Sequence, residues 1–233
     1  MTESPSTSGS VAFEDPAYRA AAVDLLGAIA YGEMSAFERL AEDAAMAPGL
    51  EDKAALARMA STEFGHFERL RERLEEIGAD PFAAMAPFQQ PFDAFHARTA
   101  PADWLEGLIK AYVGDGLAAD FYREVAAFVD ADTRELIIES LDDAGQSGFV
   151  VDRVRRAIVE DHRVGGRLAL WGRRLMGEAL TQAQQVAAER DALSALLAGG
   201  VDRPGMDLAA ISRLFTRLTE NHSRRMEALG LSA

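Results

Sequence analysis

A carboxylate and an imidazole three residues apart, Glu63 and His66, stand inside an apolar stripe, and that placement constrains the fold more than any other feature. Leu56, Met59, Glu63, His66, Leu70, Leu74 and Ile77 follow the alternating three-and-four spacing of a helix face that packs on other helices. Both polar side chains therefore project from the buried face. Uncompensated burial of such groups costs several kcal/mol, so the fold must bring partners or a bound species to them.

Three other stretches are candidates to supply those partners. Leu26, Ile29, Glu33, Phe37 and Leu40 form a first stripe with Glu33 as its charged member. Leu108, Tyr112, Asp115, Ala119 and Tyr122 form another around Asp115. Leu136, Glu139, Asp143, Gln146, Val150, Val154 and Ala157 form a fourth with three polar members. Four helices thus each direct acid at a common core.

No strand-like alternation persists along the 233 residues, which are 48% hydrophobic, and the expected class is all-α with one sizeable core. Cysteine is absent, which excludes disulfides, thiolate nucleophiles and metal-thiolate sites. Any metal must be held by oxygen and imidazole. The sequence has no apolar run near the roughly 20 residues that span a bilayer, and Met1 to Ser10 lack signal-peptide character, so a cytoplasmic protein without membrane contact is expected. A net charge of −14 argues against a surface-wide nucleic-acid platform. Arg153, Arg155, Arg156, Arg163, Arg167, Arg173 and Arg174 form either a local basic patch or a solvated face paired with nearby acids.

In chain order, residues 1–14 read as a disordered tail and 15–233 as the folded region, a bundle over 15–161 followed by additional helices over 163–233. Helix 1 starts at Asp15 and Pro16 and runs to about Met46; helix 2 runs from Leu50 to Gly78. Residues 81–101, with prolines at 87, 91 and 101 and phenylalanines at 82, 88, 92 and 95, read as a crossover packed on the bundle surface. His96 is taken there as an ordinary polar loop residue. Helix 3 runs from Thr99 or Pro101 to about Val129, helix 4 over 133–161, a fifth from about Arg167 to Leu197, and a sixth over 208–229 behind Asp207. The last two cover the bundle's flank or make a homodimer contact. Glu220 and His222, two apart, fall on different faces and make no metal site.

The two hairpins read as copies. Gly32-Glu33 matches Gly114-Asp115, and Glu63-Phe64-Gly65-His66 matches Asp143-Ala144-Gly145-Gln146, with thirty residues between the acids of the first pair and twenty-eight in the second. One acid from each of two helices and Glu-x-x-His from each of the other two is the di-iron or di-manganese carboxylate pattern. Carboxylates neutralise the cations, and carboxylate and imidazole together suit iron and manganese. Glu33, Glu63 and His66 form an intact first half-site, whereas Asp115, Asp143 and Gln146 form an altered second one for which Glu139 is a substitute ligand. Two irons are expected, the second held weakly, with manganese as the other metal that suits this donor set.

Gly114 to Tyr122, the Gly145-Gln146-Ser147 segment and Trp171 to Gln184 resemble an actinobacterial ferritin-like family related to the MiaE-type tRNA hydroxylases, and the likeness extends over nearly the whole chain after the tail. The resemblance implies a ferritin-like four-helix bundle with a crossover and two extra C-terminal helices, a non-haem di-iron site, and dioxygen-dependent hydroxylation of a modified tRNA nucleoside with an external electron donor. In that reading Glu63 and Asp143 bridge the irons and His66 anchors the first. The alternatives are a non-catalytic scaffold that kept the fold with a degenerate metal site, and a ferroxidase or iron-handling protein.

Overall fold

The computed structural model describes residues 13–141, 146–198 and 206–233, and among these the regular structure is entirely helical. Helix α1 spans Pro16–Asp43 and tightens into a 3₁₀ turn at Ala44–Met46. Asp15 caps it, its carboxylate accepting from the amides of Ala17 and Tyr18, with Pro16 at the first helical position. Helix α2, Leu50–Glu76, returns antiparallel to α1 and is its largest packing partner. It ends where Gly78 turns to φ 69°, the Gly78 amide bonding to Glu75 and the Ala79 amide to Leu74. Arg19 of α1 covers two of the remaining carbonyls, those of Ile77 and Gly78, so this helix end is tied to its neighbour. Of the expected tail, residues 1–12 lie outside the described residues, and Phe13 packs edge-on against Tyr18.

The segment expected to be a crossover is a helix. Helix α3 spans Pro81–Arg98 and carries Pro87 and Pro91 in its interior. Each interior proline removes one helical hydrogen bond, at about 3 kcal/mol relative to alanine. Packing offsets that cost: Pro81, Ala84, Met85, Phe88 and Pro91 form a buried stripe of helical spacing against α1. The approach is so close that a Cβ on Gly27 would stand 2.3 Å from the Ala84 carbonyl oxygen. Gly27→Ala must separate the two helices, and overpacking of this kind costs about 1–3 kcal/mol. A midpoint for thermal unfolding lower by about 5 °C is expected, measured by calorimetry.

Helix α4, Trp104–Ala126, begins at Asp103, whose carboxylate accepts from the Glu106 amide. The region expected as one long fourth helix is two: α5, Ala131–Ser140, and α6, Gln146–Glu160. Arg123 of α4 donates to the Leu141 carbonyl just past the end of α5. Helix α7, Arg163–Glu189, starts earlier than expected, through Gly165 and Gly166, because Asp161 caps the Arg163 amide and the burial of Leu168, Trp171 and Leu175 offsets the glycines. A break at Arg190, whose guanidinium pairs with Asp24 of α1, leads into α8, Asp191–Ala198. Helix α9, Leu208–Ala228, buries Leu214, Leu218 and Met226 and packs on α4 and α7, so the C-terminal helices cover the flank.

Apolar packing is divided into two clusters. One gathers Leu40, Leu56, Met59, Leu108, Val113, Leu168, Leu175 and Leu218; the other gathers Leu25, Leu26, Ile29, Phe67, Leu70, Leu74, Val125 and Ile137. Helices α1, α2 and α4 each cross from one cluster to the other, and each interrupts its buried apolar residues on the way: between Ala30 and Leu40, between Ala60 and Phe67, and between Leu117 and Val125. That gap holds the polar groups. Pro16–Met46 is the one stretch among the described residues long and apolar enough to cross a membrane by length and composition, and 61% of its most apolar window is buried within the structure.

Candidate metal centre

Glu33 on α1 faces Glu63 and His66 on α2 in the gap between the two apolar clusters. His66 Nδ1 lies 3.4 Å from Glu33 Oε2 and 3.5 Å from Glu63 Oε2. One ligand atom from each of the three residues falls within 4.8 Å of the others. Glu33 and His66 are each only 8% exposed. Nδ1 is buried without a hydrogen-bond partner, so its contacts with the carboxylates are ionic and lack hydrogen-bond geometry. A buried nitrogen aimed at two carboxylate oxygens fits a cation-binding set, since an ion would use all three donors at once.

Burial dominates Glu33 and drives its carboxyl well above the usual range, with the neighbouring Glu63 adding to the rise and His66 opposing it. Burial also acts upward on Glu63, but its contacts with His66 and Glu33 outweigh that and leave it below its usual value. Burial acts downward on His66; the two carboxylates overcome this and raise it to about 9. The metal-free cluster therefore holds protons that a metal must displace. Tyr122 of α4 lines the same space, its hydroxyl acidity suppressed by burial first and by the Glu33 charge second.

The remaining expected ligands stand differently. Asp115 lines the same cavity but is exposed and lies outside the three-residue cluster. Glu139 on α5 is exposed, 3.9 Å from Arg69, and is not among the cavity's lining residues. Asp143 falls outside the described residues, as does the Gln146 side chain, although Gln146 opens α6. The structure thus brings together Glu33, Glu63 and His66.

The cluster opens on a cavity of about 560 Å³ with mainly apolar walls. A second polar group borders it, formed by Arg39 and Asp43 of α1, His96 of α3, Lys110 of α4 and Gln182 of α7. Periodicity alone did not single these out. Lys110 interrupts an otherwise apolar run, Leu108-Ile109-Lys110-Ala111, and that interruption is the signal that was available. His96, expected in a loop, sits on α3 and is driven down to about 3 by burial, then by Lys110 and Arg39. All seven arginines of the expected basic patch are engaged: Arg153 with Asp52, Arg156 with Asp152, Arg163 with Asp161, Arg167 with Asp103 and Glu106, and Arg155, Arg173 and Arg174 with the carbonyls of Ala228, Ser232 and Arg98. Arg153, Arg155, Arg167, Arg173 and Arg174 clamp helices and the C-terminal residues together, whereas Arg156 and Arg163 pair locally.

A family model described as ferritin-like domain, actinomycetes, matches residues 16–200. No curated protein matches the chain.

Proposed function

The chain belongs to the ferritin-like domain family of actinomycetes, and from that premise we propose that it is a non-haem iron oxidoreductase of the hydroxylase type. The observation that carries this reading is the joining of Glu33, Glu63 and His66 to a cavity of about 560 Å³, large enough for an organic substrate. An iron-storage or ferroxidase site needs no such apolar chamber. Glu33 and Glu63 would supply anionic oxygens and His66 its Nδ1 to the metal. Iron held there supplies redox chemistry with dioxygen. The chain's own contribution is positional: apolar walls from Leu25, Phe92, Phe121 and Leu197 exclude water and hold a substrate beside the cluster. The Tyr122 hydroxyl, protonated at neutral pH, is a hydrogen-bond donor within that space.

Within this proposal, the MiaE-like resemblance implies a modified tRNA nucleoside as substrate. The engagement of the seven arginines favours a small molecule instead, because an RNA duplex or loop needs uncommitted cations to neutralise phosphates. A second iron, if held, would take Asp115, which lines the same cavity, and manganese suits the same donors. The test is oxygen uptake by iron-loaded protein with a chemical reductant, compared with Glu33→Ala. Uptake that depends on Glu33 supports the oxidoreductase. Iron binding without uptake would identify the chain as an iron-binding scaffold.

A further inference from the structure

Lys110 is 6% exposed and Asp43 is 8% exposed, both line the cavity, and among the described residues neither has a hydrogen bond or an ion pair within 4.0 Å; the Lys110 ammonium lies 5.9 Å from the centre of the Phe95 ring and interacts with Asp43 only at longer range. An uncompensated buried charge costs several kcal/mol, and natural folds keep one where a ligand completes it. Three further unpartnered nitrogens border the same cavity: Arg39 Nε, His96 Nδ1 and Gln182 Nε2. Gln182 is oriented for donation, since its carbonyl oxygen accepts from Arg98 at 3.2 Å and leaves the amide nitrogen free. Arg39 uses its terminal nitrogens on Glu42 and Glu38, so its Nε is what remains.

The polar groups divide by kind along the cavity. Glu33 lies ten residues before Asp43 on α1, a rise of about 15 Å. One end is therefore acidic, and the other is dominated by donors around Lys110. Ala36, Leu40, Met59 and Leu117 line the cavity as well and supply apolar surface.

We propose that this cavity binds an apolar monocarboxylate, its carboxylate at Lys110, Arg39 and His96 and its hydrocarbon part directed toward Glu33, Glu63 and His66. A carboxylate accepts from several donors at once, and charge-assisted hydrogen bonds are the strong ones. One ammonium without an ion pair matches a monoanion rather than a doubly charged phosphate. The nitrogen donors of Lys110, Arg39 and His96 stand at one end of the cavity, and so they set the direction of the molecule. Asp43 stays beside Lys110, whose positive charge already acts on its carboxylate, so the ammonium is shared between Asp43 and the ligand. The site stands on its own residues and is independent of whether the acid and histidine cluster carries metal.

The chain has two lysines, Lys53 and Lys110, and Lys53 is exposed, so lysine side-chain resonances report this site directly. Decanoate and 4-phenylbutyrate serve as anionic probes and decan-1-ol as the neutral one, each titrated into metal-free and iron-loaded protein. At least one carboxylate is expected to bind ten-fold or more tighter than decan-1-ol by calorimetry, shifting the Lys110 resonance and raising its titration midpoint, while Lys53 is unmoved. Lys110→Met should remove the carboxylate preference and leave decan-1-ol binding in place. Equal affinities for carboxylates and alcohol, no binding of either carboxylate, or an unchanged Lys110 signal overturns the proposal. The signal is read on the wild-type chain, so the result does not depend on the variant folding.

Discussion

Anaerobic titration of the metal-free protein with Fe(II) is expected to show one tight step per chain, and Glu63→Ala or His66→Ala is expected to erase it. Three donors within 4.8 Å, two of them almost fully buried, form a pre-organised set. Loss of one should weaken the step by at least about 100-fold, roughly 2.8 kcal/mol. Any second step should be weaker, because Asp115, Asp143 and Gln146 offer shorter carboxylates and no imidazole. Two equal steps would show that the second hairpin is as competent as the first. The sign of the pH dependence follows from the cluster. Burial holds Glu33 well above its usual value and the two carboxylates hold His66 at about 9, so near neutrality His66 carries a proton that binding must release. Affinity should therefore rise with pH from neutrality toward about 9, with proton uptake by the buffer visible in calorimetry.

The second large effect is on stability. Asp43 is pushed up to about 6, by burial first, and Lys110 is driven down to about 8, also by burial first. A raised acid contributes stability below its unfolded value that is lost as pH rises through its folded value. Asp43 therefore makes the fold less stable as pH climbs from about 4 to about 6. A lowered lysine binds fewer protons folded than unfolded, so stability should recover as pH rises from about 8 to about 10.5. Replacing both groups, as Asp43→Asn with Lys110→Met, should flatten both limbs and stabilise the protein at pH 7 by about 1–4 kcal/mol, as removal of poorly compensated buried charges does. Urea unfolding across that pH range measures it. Lys110→Met alone should stabilise less, because it leaves Asp43 without its nearest cation. A destabilised double variant would mean that the two groups are compensated and that this end of the cavity is structural.

Both effects arise where the helices interrupt their apolar packing, and the two interruptions differ in how legible they were. Glu33, Glu63 and His66 each replace an apolar residue in a regular stripe, and a polar residue at a core position is visible in one dimension. Asp43, Lys110 and His96 are different. Lys110 falls beside the stripe of α4, Asp43 near the end of α1, and His96 on a segment whose prolines hid a helical pattern. Their meaning depends on three helices meeting, which no local pattern records. The same applies to the arginines, since a run of positive charge reads as a patch until the tertiary fold shows carboxylates and carbonyls opposite each one.

By itself the sequence determined the all-α class, the caps at Asp15 and Asp207, the long antiparallel pair α1 and α2, and the three-residue cluster. Each of these is set by interactions within a few turns of one helix, or by the period at which apolar side chains recur. Tertiary structure alone decided that residues 81–98 are helical, since burial against α1 outweighs two interior prolines. It also decided that the expected fourth helix ends at Ser140, with α6 starting anew at Gln146, and that a lysine without an ion pair stands in a cavity beside polar groups from α1, α3 and α7. Those outcomes depend on free energies shared between distant segments, where packing overrides local preference.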